Sequence, residues 1–439
     1  MCNLIENEEK TIEVEIDINK VYHFPKQISI TKYKDYFLVI YTEGILWLVF
    51  QEQQELQVFK DLKSGYSIKN VLDKYNEDLV MNVVMQIEAK KFETPNNIIL
   101  SENNIYIYLT NNCNQRCKHC YMYAGDIKIG ELSVDDWKGV LKDFKQAGGN
   151  GVTFTGGEVT VYKGFEEILR FSHELGLIVT VLSNGILWSE EKIQELHKYI
   201  DEIQISIDGY DKDSYYNVRQ YNGFSKAIDC IINFYNVGTK VSMAVTPLYN
   251  DIDNFIVKFE KFALDFISKY PKVFIKLNLE LIAGREVNTS PEENKNYRKK
   301  LMKLVERLYP NYYAETFVLN YENKVLRKNC GFGEVSIAAN GDVFWCNRIH
   351  ELVSSINIQN ISFKKLFEIS EKIKNSTSVD NTTICRNCDV KYICGGGCRI
   401  KYPKIREVDT HQGQWNYVCE GKNHIYEKMI LGNEYFFEE

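Results

Sequence analysis

Three cysteines lie close together about a quarter of the way along the chain. They are Cys113, Cys117 and Cys120, in the spacing C-x3-C-x2-C. Three thiolates within eight residues can bind three corners of a cubane iron–sulfur cluster and leave one iron without a protein ligand. A zinc site needs a fourth ligand nearby, and His119 lies between two of the cysteines, where its reach is poor. The spacing therefore favours an iron–sulfur cluster with an open iron that a substrate or cofactor could occupy.

A second group of seven cysteines lies towards the C-terminus. In order they are Cys330, Cys346, Cys385, Cys388, Cys394, Cys398 and Cys419. A zinc ribbon is the simplest alternative reading of this group, but seven thiols overfill one tetrahedral zinc site and underfill two. The remaining cysteines, Cys2 and Cys230, stand alone, and we interpret them as a tail thiol and a buried apolar side chain.

The composition limits the classes of protein to which the chain can belong. It has 439 residues, 44% of them hydrophobic and 26% charged, which predicts a globular protein of two or three domains. Its net charge of −7 argues against nucleic-acid or membrane-surface binding by bulk electrostatics. No apolar run approaches the length of a membrane span, and the acidic first 20 residues contain no signal-peptide core. We therefore expect a cytoplasmic protein, in which twelve cysteines indicate metal ligands rather than disulfides.

The elements that must hold these cysteines begin after a small N-terminal domain, predicted at residues 1–95. Two strand-like runs, Tyr36–Tyr41 and Gly44–Phe50, precede three helical patterns, which is a winged-helix arrangement. The helical patterns cover Gln51–Lys63, Ser67–Tyr75 and Asp78–Phe92. Residues 1–100 contain 11 lysines and no arginine against 16 acidic residues, so a phosphate-binding face is improbable.

Strands and helices alternate through residues 104–310. The predicted strands are Ile105–Thr110, Gly151–Thr155, Leu177–Leu182, Glu202–Ile207, Lys240–Val245 and Val273–Leu281. Six successive βα units predict a parallel sheet with its chemistry at the carboxyl ends of the strands. The fold class is therefore α/β: a partial (β/α)6 TIM-like barrel at residues 104–310, the winged-helix-like domain before it, and a cysteine-rich iron–sulfur domain at 311–439.

The triplet and the residues that follow the later strands resemble the radical SAM superfamily. Its signature, C-x3-C-x-φ-C, lies after the first strand of a partial barrel, and His119 takes the φ place, where its ring could lie against adenine. Gly156-Gly157-Glu158 follows the second strand, where the family has a Gly-Gly-Glu element. The resemblance implies that Glu158 holds the ammonium of a methionine moiety, and that Ser206 and Arg219 face the ribose and carboxylate.

The resemblance also implies a cofactor and a reaction. A reduced [4Fe-4S] cluster would donate an electron to S-adenosylmethionine bound at the open iron. Cleavage would give methionine and a 5′-deoxyadenosyl radical that abstracts hydrogen from a C–H bond. An electron donor such as flavodoxin or ferredoxin is the implied partner.

The seven C-terminal cysteines match the SPASM domain, which holds two auxiliary [4Fe-4S] clusters, for a total of three. By analogy, one cluster is ligated by Cys385, Cys388, Cys394 and Cys419, and the other by Cys330, Cys346 and Cys398. Residues 320–328 contain no cysteine. The second auxiliary cluster therefore has an open iron or takes a ligand other than cysteine.

The N-terminal domain resembles the PqqD-like domains that recognise the leader of a precursor peptide by adding it to a sheet edge. The whole arrangement most resembles sactipeptide and ranthipeptide maturases, which form thioether links from cysteine sulfur to carbon. We therefore expect a precursor peptide as the substrate. Three alternatives stay open: an anaerobic sulfatase-maturing enzyme that oxidises Cys or Ser, a carbon–carbon crosslinking or epimerising maturase, and an iron–sulfur redox sensor. No catalytic acid or base is identified.

Overall fold

The computed structural model describes residues 16–95, 103–128, 130–312, 314–315, 325–348, 356–399, 419 and 421–438. The chain divides into two compact units, each assembled from separate stretches. The first combines Met1–Ser101, Asn311–Phe332 and Lys374–Glu439, and the second combines Glu102–Pro310 and Gly333–Ile373. The division into domains at residues 1–95, 104–310 and 311–439 stays a prediction.

Eleven strands are found in the described residues, and they form two sheets. They are β1 Ile28–Tyr33, β2 Tyr36–Tyr41, β3 Trp47–Phe50, β4 Asn104–Tyr108, β5 Gly151–Thr155, β6 Ile178–Ser183, β7 Glu202–Ser206, β8 Lys240–Val245, β9 Phe274–Leu277, β10 Ser336–Ile337 and β11 Val343–Phe344. One sheet has the order β1-β2-β3, and the other has the order β11-β10-β4-β5-β6-β7-β8-β9.

The helices alternate with strands through the second unit and flank the sheet of the first. They are α1 Gln53–Lys63, α2 Ile68–Leu72, α3 Glu77–Ala89, α4 Val134–Gln146, α5 Phe165–Glu174, α6 Glu190–Leu196, α7 Lys212–Arg219, α8 Phe224–Asn236, α9 Ile252–Lys269, α10 Pro291–Leu308, α11 Phe363–Ser376, α12 Lys391–Cys394 and α13 Asn423–Glu438. None of the helices in the described ranges has the length together with the apolar character that crossing a membrane requires.

The second unit is the predicted partial barrel. Strands β4 to β9 pair in parallel and in sequence order, each joined to the next through helical segments. Ser133 is the N-cap of α4 and forms a capping box with Asp136, whose backbone N–H donates to the Ser133 hydroxyl at 3.2 Å. β10 extends the sheet beyond β4, again in parallel. The parallel order places the loops after β4 to β9 at one end of the barrel.

The first unit has a sheet that is covered on both faces. All four residues from Phe37 to Ile40 of β2 are buried, although successive strand residues point to opposite faces. Residues of α1, α2 and α3 belong to the core around this sheet, and so do residues from 379–393 and from α13. A single apolar core therefore joins the N-terminal hairpin and helices to the C-terminal cysteine segment.

Polar contacts fix the same junction in the first unit. The Trp47 indole N–H donates to the Met429 carbonyl at 3.0 Å. The Lys90 ammonium donates to the Trp47 carbonyl at 3.2 Å and also contacts the Asn433 side-chain oxygen. Burial lowers the pKa of Lys90 to about 7. Helix α13 thus lies beside β3 and α3, with its buried polar groups paired.

Candidate active site

The cysteine triplet lies in the loop that follows β4, at the carboxyl end of the parallel strands. Backbone hydrogen bonds hold the two ends of this loop together: Cys113 N–H donates to Gly125 O, and Gly125 N–H donates to Asn111 O, both at 2.9 Å. The Arg285 guanidinium donates to the Cys117 carbonyl at 2.9 Å. The loop therefore has a defined conformation set by its own backbone.

Each of the three sulfur atoms of the triplet accepts a hydrogen bond. Gln115 N–H donates to Cys113 Sγ at 3.4 Å, and Ala124 N–H donates to Cys120 Sγ at 3.4 Å. Arg219 Nη1 lies 3.8 Å from Cys117 Sγ. Donors at every sulfur stabilise thiolates and tune the potential of an iron–sulfur cluster. The three residues fit the predicted cluster ligands.

Two further donors near the triplet have no acceptor among the described residues. They are Arg219 Nε and Asn114 Nδ2, both buried. A buried donor without an acceptor is costly, so its presence at this loop is consistent with an anionic group bound beside it. Within the described residues, no three His, Cys, Asp or Glu side chains converge on a point where one metal ion could bind. A cubane cluster does not require such convergence, since each thiolate binds its own iron.

The glycines of the Gly-Gly-Glu element bring the loop after β5 against the loop after β4. Gly156 has a φ of +144°, and a Cβ atom there would lie 2.5 Å from the Thr110 carbonyl oxygen. A Cβ atom at Gly157 would lie 2.1 Å from the Asn112 carbonyl oxygen. Any larger residue would push apart the two loops, so the glycines position the segment that leads into Cys113.

Glu158 is buried, and its carboxylate accepts four hydrogen bonds from the protein. Oε1 accepts from the Ser183 hydroxyl at 2.7 Å and from the backbone N–H and hydroxyl of Thr160 at 3.2 and 2.7 Å. Oε2 accepts from Asn184 N–H at 2.7 Å. This carboxylate therefore ties the loop after β5 to the end of β6. Its predicted contact with a methionine ammonium stays a prediction.

Asp208 is the central group of a buried charged network that the sequence did not single out. Its Oδ2 lies 2.6 Å from Arg219 Nη2 and 2.7 Å from His119 Nε2, and its Oδ1 accepts Thr246 N–H at 2.5 Å. Burial alone would raise the pKa of Asp208, but Arg219 and His119 outweigh it and lower the pKa. Asp208 is therefore a buried carboxylate that joins the signature histidine to the arginine beside Cys117.

The predicted cofactor-binding residues are distributed around this network. His119 and Arg219 both contact Asp208, and Arg219 also lies 3.3 Å from Gln115 Oε1. Ser206 is the last residue of β7, two positions before Asp208. The sequence signal for Asp208 was its place shortly after the end of β7 and next to Gly209. Its φ of +50° is a backbone conformation that is uncommon for residues other than glycine, and aspartate is among those that adopt it more often. The contacts of His119, Ser206 and Arg219 with a cofactor stay predictions.

The C-terminal cysteines assigned to one auxiliary cluster lie near one another within the first unit. Burial raises the pKa of Cys385 to about 11, and the neighbouring thiols of Cys394, Cys388 and Cys419 act in the same direction. Asp389, next to Cys388, accepts hydrogen bonds from Lys422 Nζ and Tyr426 Oη, both at 2.8 Å. These four thiols are therefore close enough to interact electrostatically.

Two of the three cysteines assigned to the other auxiliary cluster interact directly. The Cys398 side chain is hydrogen-bonded to Cys330, which lowers the pKa of Cys330 to about 6. Cys330 Sγ also accepts Arg399 N–H at 3.3 Å. The buried Arg399 guanidinium donates to the carbonyls of Gly396 and Gly397, both at 2.7 Å, which holds the glycine run before Cys398. Cys346 belongs to the second unit.

Of the two isolated cysteines, Cys230 lies within the described residues. Cys230 is buried in α8, as predicted for an apolar side chain. Cys2 lies outside the described residues.

Comparison with known proteins assigns the barrel to a family. Residues 107–259 match the model of the radical SAM superfamily, and these residues contain the triplet, the Gly-Gly-Glu element and Asp208. The match confirms the predicted resemblance for this part of the chain. A radical SAM domain implies one [4Fe-4S] cluster and S-adenosylmethionine.

Three relatives illustrate the range of similar sequences. The sporulation killing factor maturation protein SkfB of Bacillus subtilis is 33% identical over 141 residues, which cover 32% of this chain and 34% of SkfB. An S-adenosylmethionine-dependent nucleotide dehydratase of Lacinutrix mariniflava is 27% identical, over 47% of this chain and 48% of its own. The subtilosin biosynthesis protein AlbA of Bacillus subtilis is 24% identical, over 67% of this chain and 66% of AlbA. The chain thus spans about one third of the length of SkfB and about half of the length of the nucleotide dehydratase.

Solved structures share the fold of this chain at low sequence identity. Native anSMEcpe with bound AdoMet has a TM-score of 0.54 at 17% identity, over 76% of this chain and 97% of its own. SuiB of Streptococcus suis bound to S-adenosylmethionine has a TM-score of 0.50 at 15% identity, over 88% of this chain and 98% of its own. These similarities confirm the predicted partial barrel. Residues 107–259 of this chain thus match the radical SAM superfamily by sequence, and the barrel that contains them has the fold of these solved structures.

Proposed function

We propose that the chain is a radical SAM peptide maturase, which modifies a ribosomally made precursor peptide by forming thioether links from cysteine sulfur to carbon. The observation that carries the radical SAM part is the triplet loop, in which all three sulfurs accept hydrogen bonds at the carboxyl end of a parallel barrel. SkfB is named as the maturation protein of a sporulation killing factor, and AlbA as a biosynthesis protein of the bacteriocin subtilosin. These names support a peptide as the substrate class.

Different residues of the barrel have different roles in the proposed function. When bound, the cluster and S-adenosylmethionine supply the 5′-deoxyadenosyl radical that takes hydrogen from the peptide. Cys113, Cys117 and Cys120 hold the cluster, while Asp208 and Arg219 position the loop that carries them. Gly156 and Gly157 set the close approach of the neighbouring loop, and Glu158 with His119 and Ser206 lines the cofactor site. The proposed partner that would supply the electron to this site is a donor such as flavodoxin or ferredoxin.

The C-terminal cysteines are assigned to two auxiliary [4Fe-4S] clusters. Cys385, Cys388, Cys394 and Cys419 ligate one, which their mutual electrostatic interaction supports. Cys330, Cys346 and Cys398 ligate the other, which the bond between Cys330 and Cys398 supports. With three cysteine ligands, the second of these clusters would either take a ligand other than cysteine or have an open iron that a substrate thiolate could bind.

Leader recognition is assigned to the three-stranded sheet of the first unit, at the outer edge of β1. The opposite edge, β3, is covered: Gln86 donates to the Val49 carbonyl at 2.9 Å and accepts Val49 N–H at 3.1 Å. Lys90 bonds the Trp47 carbonyl on the same strand. Within the described ranges, β1 pairs with β2 alone. An extended leader can therefore add a strand to β1 through main-chain hydrogen bonds.

Proline substitutions along β1 test this edge. Backbone N–H groups alternate between the β2 side and the outer side, so prolines at residues 29, 30, 31 and 32 should fall into two classes. One alternate pair will break pairing with β2 and destabilise the first unit. The other pair will leave the fold intact, measured by circular dichroism, and weaken binding of the precursor peptide encoded beside the gene at least ~10-fold. Binding that stays unchanged in every folded variant would exclude the β1 edge.

Coexpression with the peptide encoded in the neighbouring reading frame tests the proposed function. Each thioether link removes one hydrogen from carbon and one from a thiol, so the peptide should lose two hydrogens per link. Tandem mass spectrometry should also place the loss between a cysteine and a second residue. A peptide of unchanged mass, recovered from cells in which the enzyme cleaves S-adenosylmethionine, would contradict the proposal for this peptide class.

A further inference from the structure

The inner face of the barrel is unusually polar. In β4 to β9 one face consists of fully buried apolar residues, among them Ile105, Phe154, Val181, Ile203, Met243 and Ile275. Alternate residues share the other face, and the strand register keeps this face common to all six strands. They include Tyr106, Thr153, Thr180, Gln204, Ser242 and Lys276. Polar side chains on this face are available for a ligand rather than for packing under helices.

Lys276 on β9 reaches over β8 to Gln204 on β7. Lys276 Nζ lies 3.3 Å from Gln204 Oε1, although their strands are not neighbours in the sheet. Side chains from strands two apart converge only on the concave side of a curved sheet, so both point into the barrel. Lys276 is solvent-accessible. The surrounding protein nevertheless lowers its pKa, first through desolvation and then through the positive charge of Arg348. Solvent accessibility together with a partly desolvated ammonium is expected of a side chain that lines a cavity.

Among the described residues, the polar partner of Lys276 is an amide oxygen and not a carboxylate. Arg348 Nη1 lies 3.9 Å from Glu280, which is also 3.5 Å from Arg298 Nη2. Glu202 acts on the pKa of Lys276 in the opposite direction to Arg348 and is itself paired with Lys240 at 3.0 Å. Lys276 is therefore a cation near Arg348 that has no ion pair of its own with a described residue.

A buried hydroxyl beside these cations lacks a hydrogen-bond partner. Ser242 is 6% exposed, and its Oγ has no partner. Ser242 is the register partner of Gln204 on the neighbouring strand, on the face that points into the barrel. An unpaired hydroxyl is unfavourable in a closed core, whereas a bound acceptor would satisfy it. Ser242 is thus a second feature, independent of charge, that indicates a ligand at this position.

We propose that Lys276, Arg348 and Ser242 form a carboxylate-binding site in the barrel, which holds an acidic side chain of the peptide substrate. The inference rests on the proposed function, because it names the chemistry of the peptide segment that enters the barrel. A carboxylate here would accept from the ammonium, the guanidinium and the hydroxyl, and charge-assisted bonds of this kind are the strong ones. The residues assigned to the cofactor follow β4, β5 and β7, whereas Lys276 lies on β9.

Two synthetic peptides test the site on the reconstituted protein with S-adenosylmethionine bound. They are N-acetyl-Cys-Gly-Gly-Glu-Gly-amide, whose one carboxylate is the Glu side chain, and its Gln counterpart. Isothermal titration calorimetry gives the dissociation constant of each for the wild type, Lys276→Gln, Lys276→Arg and Lys272→Gln. Lys272 precedes β9 at the other end of the strand, so its variant controls for net charge. Iron content and circular dichroism check the fold of every variant.

The wild type should bind the Glu peptide about 10-fold more tightly than the Gln peptide. Lys276→Gln should remove this preference, Lys276→Arg should keep most of it, and Lys272→Gln should leave it unchanged. Equal affinity of the wild type for both peptides would overturn the inference. A loss of S-adenosylmethionine affinity in Lys276→Gln would also overturn it, because the bound carboxylate would then belong to the cofactor. Failure of the proposed function differs from both, since the coexpressed precursor peptide would then keep its mass.

Discussion

Replacing Asp208 by asparagine should lower the free energy of unfolding of the barrel by about 3–5 kcal/mol, because it leaves the Arg219 guanidinium buried without its counter-charge. Asp208 and Arg219 are 1% and 7% exposed, so water cannot compensate for the lost carboxylate. The same change frees His119, which contacts Asp208 at 2.7 Å. Formation of 5′-deoxyadenosine should fall with it. Urea unfolding and product chromatography measure the two effects.

Asp253→Asn is the matched control for this substitution. Asp253 pairs with Lys300 at 2.7 Å, but its side chain is 80% exposed, so the change should cost less than about 1 kcal/mol. The double variant Asp208→Asn/Arg219→Met should recover part of the lost stability, because removal of both partners avoids an unpaired buried charge. Equal unfolding midpoints for Asp208→Asn and Asp253→Asn would show that the network does not stabilise the barrel.

Replacement of Cys113, Cys117 and Cys120 together by alanine should abolish 5′-deoxyadenosine formation. Three cubane clusters predict about twelve irons per chain, and loss of the barrel cluster should leave about eight. The seven C-terminal cysteines are unchanged in this variant, so both auxiliary clusters should stay. Iron analysis after anaerobic reconstitution, together with product chromatography, measures both quantities.

Cys230→Ala controls for the loss of a thiol in the same barrel. Cys230 is buried in α8, away from the predicted ligands in sequence, so this variant should keep its iron and its activity. A triple variant that retained the iron content of Cys230→Ala would contradict the assignment of the triplet.

Much of the barrel could be predicted from sequence. Strands β5 and β8 begin and end where the hydrophobic pattern placed them. Long apolar runs flanked by glycine or a cap give strong signals. Strand β1, Ile28–Tyr33, is not predicted from sequence, although its first four residues alternate apolar and polar side chains as a strand does. In the structure it pairs with β2 over its whole length.

The candidate site was predictable where its residues form local motifs. The triplet and the Gly-Gly-Glu element are short motifs, and the structure places both at the carboxyl end of the sheet. Asp208 and Lys276 were not predicted as site residues. Their roles depend on partners far away in sequence, His119 and Arg348, that only the fold brings near.

The joint core of the first unit was not predictable for the same reason. Trp47 and Met429 are 382 positions apart, and no local pattern signals a contact of that length. The strand and helix patterns of residues 1–95 predict a self-contained winged helix, because each element has a complete hydrophobic pattern of its own. What covers the second face of β2 is visible only in three dimensions.

Anaerobic reduction of the reconstituted wild-type protein with S-adenosylmethionine tests the central claim most directly. We expect the wild type to form 5′-deoxyadenosine and methionine in equal amounts, and the triple cysteine variant to form neither. A wild-type protein that contains about twelve irons and binds S-adenosylmethionine, but releases no 5′-deoxyadenosine, would contradict it.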